Sequence, residues 1–142
     1  LEPRFAACVA WGAQWDYHEV WRRRFEALDA GRVVALSVPP EHLMWVLGVD
    51  SRAAAMQKLE GFRLDGIVQK MTCPFLLVHG EGDEQIPLAL AEKCFAAVGS
   101  KNKTLKVFTR EEGGFHHCQI DNVTLGTQYM WDWLADVLKP GS

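Results

Sequence analysis

Asp83 and the adjacent pair His116–His117 are the side chains in this sequence whose types and placement could do acid–base chemistry together. An acid bonded to one imidazole nitrogen fixes the tautomer, and the other nitrogen can then take a proton from a hydroxyl. Both lie in glycine-punctuated stretches, Gly80-Glu81-Gly82-Asp83 and Gly113-Gly114-Phe115-His116-His117. Gly113 and Gly114 permit the sharp turn that such a histidine needs. Spacing alone leaves a second reading open, a surface Asp and two loop histidines that cap helix ends. Asp121 is a fallback acid partner for the imidazole. Cys118 is a tempting thiol, but direct sequence neighbours rarely aim their reacting atoms at one another, so a nucleophilic role is not expected of it.

The elements that must position these groups follow from the apolar pattern. Pro74-Phe75-Leu76-Leu77-Val78 is an apolar run closed by glycine, as expected of a strand buried on both faces of a parallel sheet. The loop leaving its carboxyl end lines the ligand crevice of such a sheet, and Asp83 stands there. Phe5-Ala6-Ala7-Cys8-Val9-Ala10-Trp11 reads as another buried strand ending at Gly12, and Lys103-Thr104-Leu105-Lys106-Val107-Phe108 holds a third, over 104–108, nearer a sheet edge. One βα unit separates the Asp83 loop from the histidine loop. Right-handed crossovers put consecutive parallel strands side by side, so the two loops can meet.

Helices fill the intervals. Trp21, Phe25 and Leu28 recur at helical spacing over 19–31, and Gly31 ends that helix. A short helix over 41–47 carries Trp45, and Asp50-Ser51 caps one running to 60 with Ala55, Leu59 and Phe62 on one face. Val33-Val34-Ala35-Leu36 is ambiguous between strand and helix. After Pro87 a helix buries Ala91, Cys94, Phe95 and Val98 and stops at Gly99. A last helix over 125–138 turns Met130, Trp133, Leu134 and Val137 inward, and Pro140 stops it. The fold class is therefore α/β, with parallel strands and flanking helices. About fifty residues of helix between two buried strands exceed an ordinary crossover. We expect a helical cap, or lid, over 17–69, inserted into a core made of 1–16 and 70–142.

Composition narrows the function classes. With 142 residues, 49% of them apolar and 23% charged, the chain has the make-up of a globular domain rather than a disordered one. A net charge of −3 gives no electrostatic footprint for nucleic acid. The basic cluster Arg22-Arg23-Arg24 reads as a solvated helix face. No apolar run approaches the length of a membrane span. Cys8, Cys73, Cys94 and Cys118 lack metal-site spacing, so neither a metal nor another cofactor is expected, and a reducing, cytoplasmic setting is the default.

Cys73-Pro74-Phe75-Leu76-Leu77-Val78-His79-Gly80-Glu81-Gly82-Asp83 resembles the acid loop of the α/β-hydrolase fold, and Gly113-Gly114-Phe115-His116-His117-Cys118-Gln119 resembles its histidine loop. That fold orders its triad as nucleophile, acid, histidine. Val9-Ala10-Trp11-Gly12-Ala13, Trp45-Val46-Leu47-Gly48-Val49-Asp50 and Glu111-Glu112-Gly113-Gly114, with His117-Cys118-Gln119, further resemble the fungal polyketide-shortening hydrolases of melanin biosynthesis, which cut a heptaketide naphthopyrone (the yellowish-green family). The resemblance covers the carboxyl-terminal part of that family's length. It implies Asp83 as the acid and His117, the histidine before Cys-Gln, as the base. It also implies release of an acetoacetyl unit by retro-Claisen C–C cleavage.

No Gly-x-Ser-x-Gly occurs in the sequence, so the resemblance places the nucleophile elbow on an amino-terminal segment preceding Leu1. That segment is the expected partner, without which the chain is not expected to fold stably. A small aromatic substrate is the other partner, with Trp15, Asp16, Tyr17 and Trp45 as candidate contacts. Asp16 could equally cap a helix, and Trp15 and Tyr17 could simply pack one. A homodimer stays open. An ester or lactone hydrolase, an acyltransferase, and a non-catalytic α/β interaction module are the competing readings.

Overall fold

Three parallel strands in the order β1-β2-β3 carry the chain's chemistry-bearing loops. The structure is a computed structural model that describes residues 2, 4–32 and 39–139. Strand β1 is Cys8–Trp11, β2 is Phe75–Gly80 and β3 is Lys103–Phe108. Every residue of β2 is buried, which is why its sequence shows no polar alternation. The register pairs Cys8 with Phe75 and Val78 with both Trp11 and Lys106. Strand β1 is shorter than its apolar run suggests. The ladder begins at Phe75, behind Pro74, so residues 5–7 have no strand to pair with among the described residues, and Phe5 is 65% exposed.

Helix α1 is Tyr17–Asp29, α2 is Pro40–Leu47 and α3 is Arg52–Leu59; α4 is Leu88–Ala97 and α5 is Val123–Val137. Pro87 stands just outside α4, where a missing N–H costs no helical bond. Leu90, Ala91, Cys94 and Val98 are buried, while Phe95, expected on that face, is half-buried. The α5 helix starts earlier than its apolar pattern, because Asn122 Oδ1 accepts the Leu125 N–H at 3.2 Å. Met130 joins Leu76, Val78 and Phe108 in the core of the sheet, and Trp133 packs beside them. Leu134 and Val137 are half-buried rather than core. The ambiguous run at 33–36 and Pro140 lie outside the described residues. Among the described residues no helix is long and apolar enough to cross a membrane.

Lys103 ties α4 to β3. Its Nζ donates to the Phe95, Ala96 and Val98 carbonyls at 2.9, 3.1 and 2.8 Å, where the helix leaves its acceptors unpaired. A cation at a helix carboxyl end also meets the favourable pole of the dipole. Lys103→Met should therefore lower stability by about 1–2 kcal/mol. A shift of the urea midpoint at unchanged m-value would show it.

The chain divides into two compact units, Leu1–Trp15 with Leu64–Ser142, and Asp16–Arg63. Residues 64–69, expected in the cap, fold with the sheet: the Gly99 N–H donates to the Val68 carbonyl at 3.1 Å. The helical unit has its own core of Trp21, Phe25, Leu43, Ala55 and Leu59. Its ends meet through the Tyr17 N–H donating to the Phe62 carbonyl and through Arg63 Nε, 3.2 Å from Asp16 Oδ2. Phe62 lies beyond the end of α3 and is 52% exposed, so it leaves the face that Ala55 and Leu59 form. The arginine cluster is also mixed. Arg22 and Arg23 pair with Glu19 on the surface, whereas Arg24 is buried with its guanidinium 5.0 Å from the Trp21 ring centroid.

Candidate active site

Asp83 is held by backbone before it meets any side chain. Its Oδ1 accepts the Gln85 and Ile86 N–H groups at 2.8 and 2.9 Å, a tight turn that leaves Oδ2 pointing away. His117 Nδ1 donates to that Oδ2 at 2.7 Å. The carboxylate is buried and the ring is partly exposed. Parallel pairing of β2 with β3 puts the two loops at one sheet edge, as the spacing requires. With Nδ1 carrying the proton, Nε2 of His117 is the basic nitrogen.

Glycines make the close approach of the loops feasible. A Cβ on Gly80 would lie 2.3 Å from the Phe115 carbonyl oxygen and 2.5 Å from that of His116. Both obstacles are backbone. Gly80→Ala should push the histidine loop outward, destabilise by about 1–3 kcal/mol and, through a displacement on the order of 1 Å, cost about 10²-fold in kcat. Parallel unfolding and rate measurements on the complete protein check both effects. A Cβ on Gly114, at φ +77°, would lie 2.8 Å from Gln119 Cγ.

The other sequence candidates fall out differently. His116 is exposed, and its backbone N–H and that of Phe115 donate to Asp121. Asp121 thus caps the loop rather than meeting the His117 ring. Burial works against its charged form, but the two N–H donors still hold its carboxyl below the usual range. Cys118 corrects an expectation: its Sγ does approach the neighbouring ring, 3.4 Å from His117 Nε2. Left-handed backbone at Cys118 (φ 48°) and Gln119 (φ 48°) folds the thiol back. Burial first, then the Asp83 charge, push its pKa up, so it is a thiol rather than the thiolate that attacks carbonyls.

Trp15 is buried in the sheet unit, with Lys93 Nζ 5.9 Å from its ring centroid. In the helical unit, Asp16 is the N-cap of α1, accepting the Glu19 N–H at 2.9 Å, and pairs with Arg63. Tyr17 sits edge-on to Trp21 and borders a cavity of about 350 Å³ with His42, Leu43 and Phe62. Trp45 is 77% exposed, its ring 5.7 Å from His42. Among the described residues no three His, Cys, Asp or Glu side chains converge to hold a metal.

Two buried residues escape the sequence reading. Gln119 is fully buried, and its Oε1 accepts the Trp11 Nε1–H at 2.6 Å, tying β1 to the histidine loop. His79, near the end of β2, is 1% exposed, and its Nε2–H donates to the Ile86 carbonyl at 3.0 Å. A titratable residue closing an apolar strand is the available signal. Burial pushes the His79 pKa below its ordinary 6.5, against the attraction of Asp83 and the bond to Ile86. The unfolded chain then binds a proton near pH 6.5 that folded His79 refuses, so its contribution is complete above that pH and is lost as pH falls toward the folded value. Urea midpoints should fall from about pH 6.5 downward, less steeply in His79→Gln.

This geometry has relatives among known proteins. No protein-family model matches the chain. The 2,6-dihydropseudooxynicotine hydrolase of Paenarthrobacter nicotinovorans is 28% identical over 99% of this chain, which spans 34% of that protein. A crystal structure of the 2,6-dihydroxy-pseudo-oxynicotine hydrolase superposes with a TM-score of 0.71 at 26% identity, over 99% of this chain and 36% of that one. This chain has the fold of the carboxyl-terminal part of an α/β-hydrolase. Est1E from Butyrivibrio proteoclasticus shares that fold at 18% identity, with a TM-score of 0.62 over 96% of this chain and 52% of its own. The chain thus spans about a third of the hydrolase that it matches in sequence, and in that α/β-hydrolase frame Asp83 and His117 lie on loops after consecutive strands.

Proposed function

We propose that this chain supplies the acid and the base of a serine hydrolase. The observation that carries the reading is the 2.7 Å bond from His117 Nδ1 to Asp83 Oδ2. A serine on a segment outside these residues gives its proton to His117 Nε2 and attacks the substrate carbonyl. Asp83 stabilises the imidazolium, and the proton passes to the leaving group. Water, activated by the same nitrogen, then releases the acyl group. The likeness to a bacterial hydrolase at 28% identity supports this reaction class.

The finer reading is hydrolysis of a C–C bond in an aromatic polyketide, with an acetoacetyl unit released. Its support is the resemblance of Trp45-Val46-Leu47-Gly48-Val49-Asp50 and His117-Cys118-Gln119 to the polyketide-shortening hydrolases. In that version the electron pair of the broken bond leaves on carbon, and His117 delivers the proton there. The exposed Trp45 and the Tyr17-lined cavity offer aromatic surface for a planar substrate. Assaying the complete protein with a naphthopyrone and with an aryl ester tests it. Acetoacetate release from the naphthopyrone at the higher kcat/KM supports C–C cleavage; turnover of the ester alone makes it an esterase.

A further inference from the structure

We propose that His79 is a positioning residue that holds the Asp83 carboxylate in line with His117; the inference rests on the hydrolase reading above. His79 is 1% exposed and touches the acid loop from beneath, as the penultimate residue of β2. Its Nε2–H donates to the Ile86 carbonyl at 3.0 Å, and the Ile86 N–H donates to Asp83 Oδ1 at 2.9 Å. Ile86 is itself fully buried, so its backbone is gripped from both sides. A chain of bonds thus runs from His79 through Ile86 to Asp83 and on to His117.

Geometry and charge favour holding over proton transfer. His79 Nε2 lies 3.7 Å from Asp83 Oδ2, beyond a hydrogen bond, so the carboxylate keeps that oxygen for His117. His79 Nδ1 has no partner among the described residues, which marks a neutral ring whose one proton is on Nε2. Asp83, His117 and Glu92 are the titratable groups around it. A neutral donor orders the loop without neutralising the acid. A cation there would compete with His117 for Asp83.

The test uses the complete protein and three replacements. The amide nitrogen of His79→Gln reaches as far as Nε2 and keeps the bond to Ile86; that of His79→Asn falls short, and His79→Leu has none. We expect the downfield His117 Nδ1–H proton resonance to persist in His79→Gln and to vanish or move upfield in His79→Asn and His79→Leu. In the latter two kcat falls about 10²-fold at unchanged KM, while Gln stays within about threefold. If His79→Leu does not fold, the contrast of Asn with Gln decides. Folded Asn or Leu variants that keep the resonance and kcat overturn the inference, as does an equal loss in Gln and Asn. A wild-type protein without the resonance, or one that stays active as His117→Ala, overturns the hydrolase reading instead.

Discussion

Replacing His117 by alanine in the complete protein should lower kcat/KM by about 10⁴-fold or more, while His116→Ala changes it by no more than a few-fold. The two histidines are chain neighbours, yet the structure gives them separate settings. His117 reaches the buried carboxylate of Asp83 through Nδ1, which leaves Nε2 as the proton acceptor. His116 is exposed, with its backbone N–H on Asp121 and its ring 5.3 Å from that of Phe115. In the proposed mechanism, losing His117 removes proton transfer at both the attack and the release step. Losing His116 removes only a surface ring contact. Steady-state kinetics on the two variants, with circular dichroism to confirm folding, measure the contrast.

Asp83→Asn should cost about as much, on the order of 10⁴-fold in kcat, with little loss of folded structure. The reason is directional. Gln85 and Ile86 direct two backbone N–H groups at one carboxyl oxygen, so the amide introduced by Asp83→Asn must put its own oxygen there. Its NH₂ then faces His117 Nδ1, which can accept that bond only in the other tautomer, with the proton on Nε2. The base would be blocked by its own hydrogen. Steady-state kinetics and circular dichroism on Asp83→Asn measure the two effects together.

The loops are legible because their chemistry is local. Gly80, Gly82 and Asp83 in one stretch and Gly113 to His117 in the other announce two tight turns at strand ends, and the parallel sheet brings them together. What escapes depends on contacts distant in sequence. Nothing around Gln119 says that its amide will meet Trp11, 108 positions earlier. The thiol of Cys118 reaches back to the preceding ring through left-handed backbone that cysteine rarely adopts. Phe5 and Phe62 read as core because they are apolar, but the first lies before the strand ladder begins and the second beyond a helix end. Arg24 reads as solvated beside Arg22 and Arg23, yet helical geometry rotates it onto the Trp21 face.

Peptide mapping after covalent labelling of the complete protein with a fluorophosphonate tests whether Asp83 and His117 activate a serine. One labelled serine, outside residues 1–142, is expected, with labelling abolished in His117→Ala and in Asp83→Asn. Label on Cys118, or a serine that reacts equally well without His117, would contradict it.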